Sequence, residues 1–310
     1  MTRFLLQRLL FMVFSLFGAT FLAFTASRLA PGDPVRLMLG EQNVSPEVIE
    51  AWEARYGLDK PIPIQYFYYV RNAFEGDLGT SYHYIGRPVT EIIGPAILVT
   101  LKWETAALVG AVIIAVILGT ISALHQNTWL DTATMTLALV GISLPDFALA
   151  TFLIVGFALR LDWLPVAGAE TPAHFILPAI TLATRPCALL SRMVRASMLD
   201  VINQDYMTTA RAKGLQERVV IIRHGLRNAL LPVLTVVGIL IGRILSGSFI
   251  VETIFNIPGI GRVGVTAVLQ RDYPIILGAT LTLATAFLVT TFLIDLLYGV
   301  LDPRIRHAEQ

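Results

Sequence analysis

Long apolar stretches, separated by shorter polar segments, dominate this chain. A helix needs about 20 consecutive apolar residues to cross the hydrocarbon core of a bilayer. Six stretches come close to that length or exceed it: residues 9–27, 105–124, 132–159, 176–199, 230–250 and 273–294. The pattern predicts an all-α membrane protein with six spans, and an even number of spans places both termini on one side of the membrane.

The first stretch allows a second interpretation. Arg3 and Arg8 precede it, and the small residues near Ala26 would also fit the cleavage site of a secretory signal. An apolar run of this length is long for the hydrophobic region of a signal peptide. We therefore predict that the first stretch is an uncleaved span.

Apart from the basic end of the fourth stretch, at Arg192 and Arg195, three charged residues interrupt the predicted membrane segments. Asp146 follows Pro145 in the third stretch, where the proline predicts a kinked span. Arg185 lies in the fourth stretch and Arg243 in the fifth. Ionisable side chains are costly in a bilayer and usually face the interior of a bundle or a water-filled cavity. Asp146, Arg185 and Arg243 are therefore candidates for a translocation pathway or for a buried polar pair.

The segment between the first two spans has a soluble composition. Ser45 and Pro46 are typical of a helix start, with serine at the N-cap and proline in the first turn. A second amphipathic stretch, residues 64–74, carries the aromatics Tyr66, Phe67, Tyr68 and Tyr69, which could form a small core or an interfacial belt. We interpret residues 31–97 as a compact extramembrane insert, because about 60 residues bury too little core for an independent domain.

Composition narrows the class of protein. The 310 residues are 55% hydrophobic and 15% charged, with a mean hydropathy of +0.69, whereas soluble domains average about 25% charged residues. An ordinary soluble enzyme is disfavoured. The high hydropathy makes the lipid bilayer the expected environment. A net charge of +1 leaves no basic surplus for binding nucleic acid. One cysteine and five dispersed histidines predict neither an internal disulfide nor a metal site.

The distribution of Lys and Arg predicts the orientation. Seven of them lie between residues 192 and 227, and each terminal tail carries two more. The opposite side has eight, spread over far more residues, together with nine acids in the insert. The positive-inside rule places both termini in the cytoplasm and the insert outside. The predicted segments are residues 1–30 (N-terminus and first span), 31–97 (insert), 98–302 (five-helix core with the cytoplasmic loop 200–227) and 303–310 (cytoplasmic tail).

Sequence signals of catalysis are missing. None of the three lysines, Lys60, Lys102 and Lys213, stands in a Gly-Lys-Ser/Thr context, so the sequence contains no P-loop for ATP. It contains no Gly-x-Ser-x-Gly or His-Glu-x-x-His motif either. We predict no catalytic residue. A secondary transporter would need ionisable residues organised as a relay, and nothing positive supports a membrane enzyme.

The predicted cytoplasmic loop contains a short polar helix. Asp205 is a candidate cap, and Gly214 can close the helix in the left-handed conformation. The helix is too polar to span a membrane and too short to be stable alone in water. Small residues at Ala210 and Ala212 leave room for another protein surface. The alternative is a basic helix that lies on anionic lipid.

This loop and a series of ordered motifs resemble the permease subunits of ATP-binding-cassette importers, specifically the dipeptide/oligopeptide/nickel/glutathione group. The loop motifs are DYMTTARAKGL (205–215) and HGLRNALLP (224–232). The other motifs are PGDP (31–34), GDLG (76–79), GISLP (141–145), IPGIGR (257–262), RDYP (271–274) and DPRIR (302–306). Thr208 and Thr209 replace the Glu-Ala of many permeases, and Leu231-Pro232 comes late. Both departures resemble the peptide-type subgroup, and they put in doubt any contact assigned to an acid in the loop.

The resemblance implies a six-helix type I permease with a periplasmic insert, located in the bacterial inner membrane. It implies as partners a second homologous permease, two ATPase subunits and a periplasmic solute-binding protein, with ATP and magnesium on the ATPases and no cofactor on this chain. Di- and oligopeptides are the expected substrates, with glutathione, nickel chelates and opines left open. The residues carried over as the ATPase-coupling helix are Asp205, Tyr206, Thr209, Ala210, Arg211, Ala212, Lys213, Gly214 and Leu215.

Overall fold

The computed structural model of the protein describes residues 2–29, 45–56, 58–244 and 248–301. Within these ranges the regular elements are helical, apart from a single antiparallel bridge between Thr80 and Pro88. The motif at residues 31–34, the motif at residues 302–306 and the predicted tail 303–310 lie outside the described residues.

Thirteen α-helices are assigned in the described part of the chain. In order they are α1 (Thr2–Leu29), α2 (Pro46–Tyr56), α3 (Ile62–Phe74), α4 (Val89–Leu124), α5 (Trp129–Ser143), α6 (Asp146–Leu153), α7 (Ile176–Ile202), α8 (Asp205–Ala212), α9 (Glu217–Val219), α10 (Arg227–Ile244), α11 (Phe249–Ile254), α12 (Ile260–Gln270) and α13 (Tyr273–Leu301). A π-helical segment, Ile154–Arg160, continues α6, and a second one, Val220–Leu226, joins α9 to α10. A 3-10 turn, Pro172–Phe175, leads into α7.

Five of the described helical segments are long and apolar enough to cross a membrane: Leu6–Leu29, Val89–Leu124, Pro172–Ile202, Glu217–Gly242 and Tyr273–Ile294. The predicted third span is instead a pair of helices, Trp129–Ser143 and Asp146–Arg160, bent by 109°. The count of six spans holds only if this pair crosses the membrane once.

The break between α5 and α6 is sharper than the kink that the sequence predicted. Leu144, the residue before proline, is extended with ψ 127°, and Pro145 is extended with ψ 143°. A residue before proline is pushed out of the helical region by the pyrrolidine ring, and proline has no N–H to continue the ladder. Two extended residues in succession therefore end one helix and start another.

Helix α4 is much longer than the predicted second span. It begins at Val89 rather than near residue 105, and so it runs through residue 97, where the sequence placed the end of the insert. Its first turns carry Val89, Ile93 and Ala96, which are buried in a hydrophobic cluster. Tertiary burial accounts for a helix in a stretch whose composition alone is not that of a membrane span.

The chain divides into two compact units, and the first combines the two ends of the chain with the insert. It comprises Met1–Thr100, Leu245–Phe249 and Pro258–Gln310. In this unit α1 packs along α13 and contacts α3, and α12 packs on α13. Gly278 of α13 allows close packing, because a Cβ there would lie 2.6 Å from Val89 Cγ1.

The insert helix α3 is held on α1 by an aromatic contact. The Tyr66 hydroxyl lies 2.7 Å from Thr20 Oγ1 and donates to the Phe17 carbonyl at 3.0 Å. Its ring packs edge-on against Phe21 and Phe24, with centroids 5.2 and 5.5 Å away. The next two aromatics, Phe67 and Tyr68, are exposed. The aromatic run therefore contributes one side to a small core and presents the other outward.

The second unit comprises Leu101–Ile244 and Ile250–Ile257. Helix α7 is its centre, packed against α5, α6 and α10. The buried cluster contains Leu190, Val194 and Met198 of α7 together with residues of α4 and α10. Gly119 of α4 allows α7 to approach closely, because a Cβ there would lie 2.5 Å from the Ser191 carbonyl oxygen.

Candidate functional site

The loop helix α8 (Asp205–Ala212) follows directly from α7. Gln204, extended with φ −76° and ψ 149°, is its N-cap residue and makes no side-chain cap bond. Asp205 is therefore not the cap that the sequence predicted. It lies in the first turn, where a carboxylate interacts favourably with the positive end of the helix dipole.

The inner face of α8 packs on its own chain. Met207 and Ala210 are buried with Val220, against the partly buried Val201. The prediction that Ala210 leaves room for another protein is wrong, because the residue is only 5% exposed and lies in this cluster. A helix too short to be stable alone is thus stabilised by tertiary burial.

Methionines connect α8 to the spans. A Cβ built at Gly225, in the π-helical segment Val220–Leu226, would lie 3.2 Å from Met207 Cε and 3.6 Å from Met198 Cε. Met198 belongs to the buried cluster around α7. The absence of a side chain at Gly225 lets both methionines approach the backbone, so α8 is packed onto the membrane segments rather than suspended from a free loop.

The outer face of α8 and the residues that follow it are exposed. Tyr206 and Leu215 are apolar side chains with 39% and 40% of their surface accessible. The other exposed members of the predicted coupling segment are Asp205, Thr209, Arg211, Ala212, Lys213 and Gly214. This part of the chain offers a mixed polar and apolar surface that a partner could contact.

The C-terminal end of α8 is closed by backbone bonds. The Lys213 N–H donates to the Thr209 carbonyl at 3.1 Å, and the Gly214 N–H donates to the Arg211 carbonyl at 2.9 Å. Gly214 has φ +75°, the predicted left-handed conformation. A Cβ at Gly214 would meet no described atom within 4 Å, so the position is strained for other residues but not crowded.

An exposed ion pair joins α8 to the next turn. Arg211 Nη2 lies 3.0 Å from Glu217 Oε1, and Arg211 Nε lies 3.2 Å from both carboxylate oxygens. The hydrogen bonds to Glu217 raise the pKa of Arg211. Since both side chains are in water, the pair orients the arginine more than it stabilises the fold.

A buried ion pair between Asp131 and Arg195 was missed by the sequence reasoning. The Asp131 carboxylate accepts from Arg195 Nε at 2.6 Å and from Arg195 Nη2 at 2.7 Å, in a bidentate arrangement. It also accepts from the Ser122 hydroxyl and from the Asn127 N–H at 3.0 Å. The site ties the end of α4 and the start of α5 to α7 just before α8. Its sequence signal was weak, because Arg195 was counted only for the topology and Asp131 lies one residue before the predicted third span.

Two further buried carboxylates lie in α4 and α11. Glu252 is fully buried and accepts from Trp103 Nε1 at 3.2 Å, and Glu104 is 2% exposed. Both acids fell just outside the predicted spans, which began at residue 105 and ended at residue 250. Their position next to apolar runs was the signal that could have identified them.

The three predicted pathway residues are not brought together where the structure describes them. Asp146 is half-buried in the first turn of α6, and Arg185 is exposed on α7. No ion pair joins these two side chains within residues 58–244. The side chain of Arg243 lies outside the described part of the chain. No cluster of three His, Cys, Asp or Glu residues suited to a metal occurs among the described residues.

Comparison with known proteins identifies the family. The profile described as "Binding-protein-dependent transport system inner membrane component" matches residues 115–307, and the corresponding N-terminal profile matches residues 1–91. The glutathione transport system permease protein GsiC of Pectobacterium atrosepticum is 42% identical over 99% of this chain and 100% of its own length. GsiC of Escherichia coli strain K12 is 41% identical with the same coverage.

A solved structure, described as the crystal structure of an amino acid ABC transporter with histidines, also matches. It is 20% identical, with a TM-score of 0.48, over 67% of this chain and 93% of that chain. The profile match covers more than half of the sequence, and the identity to named permeases extends from end to end. Together with the apolar helices, these matches show that the chain belongs to the family of binding-protein-dependent transport system inner membrane components, the permeases of ABC importers.

Proposed function

We propose that this permease subunit forms half of the translocation pathway of an ATP-driven importer for short peptides, including glutathione, and that α8 couples it to an ATPase. The observation that carries the coupling role is the division of α8 into two faces. Met207 and Ala210 are fixed in the chain's own core, whereas Tyr206 and Leu215 are exposed. A helix that must transmit force needs both a rigid attachment and a free contact surface.

The attachment of α8 supports mechanical coupling. Met207 and Met198 meet at Gly225, and Arg195, one turn before Met198 on α7, is held by the buried Asp131. A displacement of α8 is thereby passed to close-packed side chains and to an ion pair that joins three helical segments. Because packed cores deform little, motion at α8 would move α7 as a body.

Family membership supports an ATPase and a solute-binding protein as partners in general, and the specific set is part of the proposal. The sequence holds no P-loop, so ATP and magnesium bind on two ATPase subunits, and this chain needs no cofactor of its own. A second homologous permease completes the pathway, and a solute-binding protein delivers the substrate outside. The Lys and Arg distribution supports cytoplasmic termini and loop, an extracytoplasmic insert and a place in the bacterial inner membrane.

The substrate class combines two lines of support. The sequence motifs favour the peptide-type subgroup, and the named relatives transport glutathione. Glutathione is a tripeptide, so it shares its functional groups with other short peptides: amide bonds and terminal carboxylate and ammonium groups. Nickel chelates and opines are the alternatives within the same mechanism. Asp146, Arg185 and Arg243 stay candidates for the pathway or for polar pairs with the partner permease.

Reconstitution tests this function. The chain is expressed with its neighbouring transport genes, and subunits that co-purify are identified and placed in proteoliposomes with the binding protein. We expect Walker-motif subunits in the complex and uptake of labelled glutathione or alanyl-alanine that needs ATP. Uptake driven by an ion gradient without ATPase subunits would instead indicate a secondary transporter. Uptake of nickel chelates but of neither peptide would show that the substrates are nickel chelates and not short peptides.

A further inference from the structure

The first unit contains a cavity of about 610 Å³, which we call the insert cavity. Its walls come from the end of α1 (Phe24 and Arg28), from α3 (Gln65 and Tyr69) and from the start of α13 (Tyr273), with further residues of the insert between them. Pockets for small molecules are usually about 300–1,000 Å³. The insert cavity is therefore large enough for a di- or tripeptide.

The charges around the insert cavity favour an anionic group. Arg28 and Lys60 line it, with Asp77 as the acid among its described lining residues. Asp77 Oδ1 already accepts from the Gly79 N–H at 2.8 Å. The guanidinium of Arg28 lies over the Phe24 ring at 5.1 Å, and Lys60 Nζ lies over the Tyr68 ring at 4.6 Å. Both cations are thus held by aromatic faces and keep N–H groups for a ligand.

Three buried polar atoms on the cavity wall have no hydrogen-bond partner among the described residues. Arg28 Nε, the Tyr69 hydroxyl and Gln65 Oε1 are buried, and no group of the described chain hydrogen-bonds to them. Buried polar groups in native proteins nearly always have partners, so three orphans on one wall need an explanation. Burial raises the pKa of the Tyr69 phenol, with a smaller contribution from Tyr66, so the hydroxyl stays protonated and can donate.

The chemistry of these atoms defines the missing ligand. Arg28 Nε and the Tyr69 hydroxyl are donors next to positive charge, and they suit a carboxylate. Gln65 Oε1 is an acceptor, and its Nε2 already donates to the carbonyls of Leu58 and Lys60 at 3.1 and 2.7 Å. It suits an amide N–H or an ammonium group. One small molecule that carries a carboxylate and an N–H donor a few bonds apart satisfies all three.

We propose that the insert cavity is a binding subsite for the carboxylate end of a short peptide, with Arg28 and Tyr69 holding the carboxylate and Gln65 accepting from an N–H of the peptide. The proposal rests on the proposed function, because the peptide is the transported substrate. It assigns to the insert a contact with the substrate itself, in addition to any contact with the binding protein. A phospholipid phosphate is the competing anion, and the test separates the two.

The test measures binding to the complete transporter in phosphatidylcholine nanodiscs, without binding protein, using labelled alanyl-alanine and glutathione. We expect saturable binding that Arg28→Gln and Tyr69→Phe each weaken roughly tenfold, the loss expected for one hydrogen bond to a charged group. The matched controls, Arg71→Gln and Tyr84→Phe, change exposed residues of the insert outside the cavity and should leave the dissociation constant unchanged. Alanyl-alaninamide, which lacks the carboxylate, should bind at least tenfold more weakly and be insensitive to Arg28→Gln.

Several results would overturn the subsite. Among them are no binding of either probe, equal binding of the acid and the amide, or unchanged binding in both cavity variants. If Tyr69→Phe raises Tm without weakening binding, the hydroxyl is an unsatisfied structural group. If phospholipid co-purifies with the wild type and is lost in Arg28→Gln, the cavity binds lipid. ATP-driven uptake is measured separately on the same wild-type complex, in proteoliposomes supplied with the binding protein. Its presence alongside any of these results rejects the subsite alone, whereas its absence rejects the proposed function.

Discussion

Ser81 and Asp272 are hydrogen-bonded to each other although 191 positions separate them in the chain. Asp272 is fully buried, and it also accepts from the backbone N–H groups of Tyr82 at 3.2 Å and His83 at 3.1 Å. Ser81 closes the turn by accepting from the Tyr84 N–H at 2.8 Å. One buried carboxylate therefore fastens the last turn of the insert to the start of the last span.

Replacing Asp272 should release this turn. Asp272→Asn keeps the size but has one acceptor oxygen, and its NH₂ group would face donors. We expect faster hydrogen exchange at residues 80–84 and a loss of about 1–3 kcal/mol in the free energy of unfolding. The control is Asp77→Asn, which removes a carboxylate whose contact to Gly79 is exposed. Equal exchange in Asp272→Asn and the wild type would mean that the turn is held by other contacts.

The pair Asp131–Arg195 should contribute far more than the exposed pair Arg211–Glu217. The Asp131 side chain is only 6% exposed, so Asp131→Asn leaves a guanidinium without its bidentate partner. The expected loss is about 2–3 kcal/mol, somewhat less than for a fully buried pair because Arg195 is 24% exposed. Thermal unfolding of the purified complex measures it.

A double-mutant cycle with Arg195→Gln isolates the pair itself. The two single losses should not add, because each already breaks the same interaction. Glu217→Gln, which breaks the exposed pair, should leave Tm unchanged. Additive losses for Asp131 and Arg195 would show that the two side chains act independently.

Gly214→Asp should separate ATP hydrolysis from transport. A Cβ at this position would meet no atom of the described residues within 4 Å, so its direct cost is that of the left-handed backbone, roughly 1 kcal/mol. A larger defect must come from a surface that contacts α8 from outside. We expect normal insertion and only this small loss of stability, together with loss of uptake and either weakened ATPase attachment or hydrolysis that no longer responds to loaded binding protein.

Gly86→Asp is the matched control for Gly214→Asp. Gly86 also has positive φ, +79°, and open space around its Cβ, but it lies in the insert. It should lose a similar amount of stability and retain ATPase attachment. Lys213→Ala should have a small effect, because an exposed charge contributes little. Wild-type transport by Gly214→Asp would favour a helix that lies on lipid.

Cysteine labelling tests the orientation. In a Cys187→Ser background, Glu50→Cys places a thiol on the insert helix α2 and Gln216→Cys places one just after α8, both at exposed positions. An impermeant maleimide should label position 50 but not position 216 in intact cells, and both after lysis. The reverse pattern would invert the predicted topology.

Local signals were sufficient for the apolar helices and for the loop helix. The transfer of about 20 apolar residues into lipid depends on the composition of one segment. Each span can therefore be predicted from its own sequence, without knowledge of the helices that pack against it. The left-handed stop at Gly214 is equally local, since only glycine adopts that conformation cheaply. The prediction that Asp205 caps the loop helix was wrong. The helix begins one residue earlier than a side-chain cap at Asp205 would require, with Gln204 at the N-cap position and no side-chain bond.

The amino-acid sequence by itself determined that the chain is a helical membrane permease. The lengths of the apolar stretches, the distribution of charge and the ordered motifs are all properties of the sequence that need no knowledge of tertiary contacts. The tertiary structure decided which charges are buried and paired. Asp131 and Arg195 are 64 positions apart in the chain, and Ser81 and Asp272 are 191 positions apart. Only folding brings each pair within hydrogen-bonding distance. It also decided that Ala210 faces inward and that the helices on either side of Pro145 are bent by 109°. Such contacts depend on packing between segments, for which no local pattern exists.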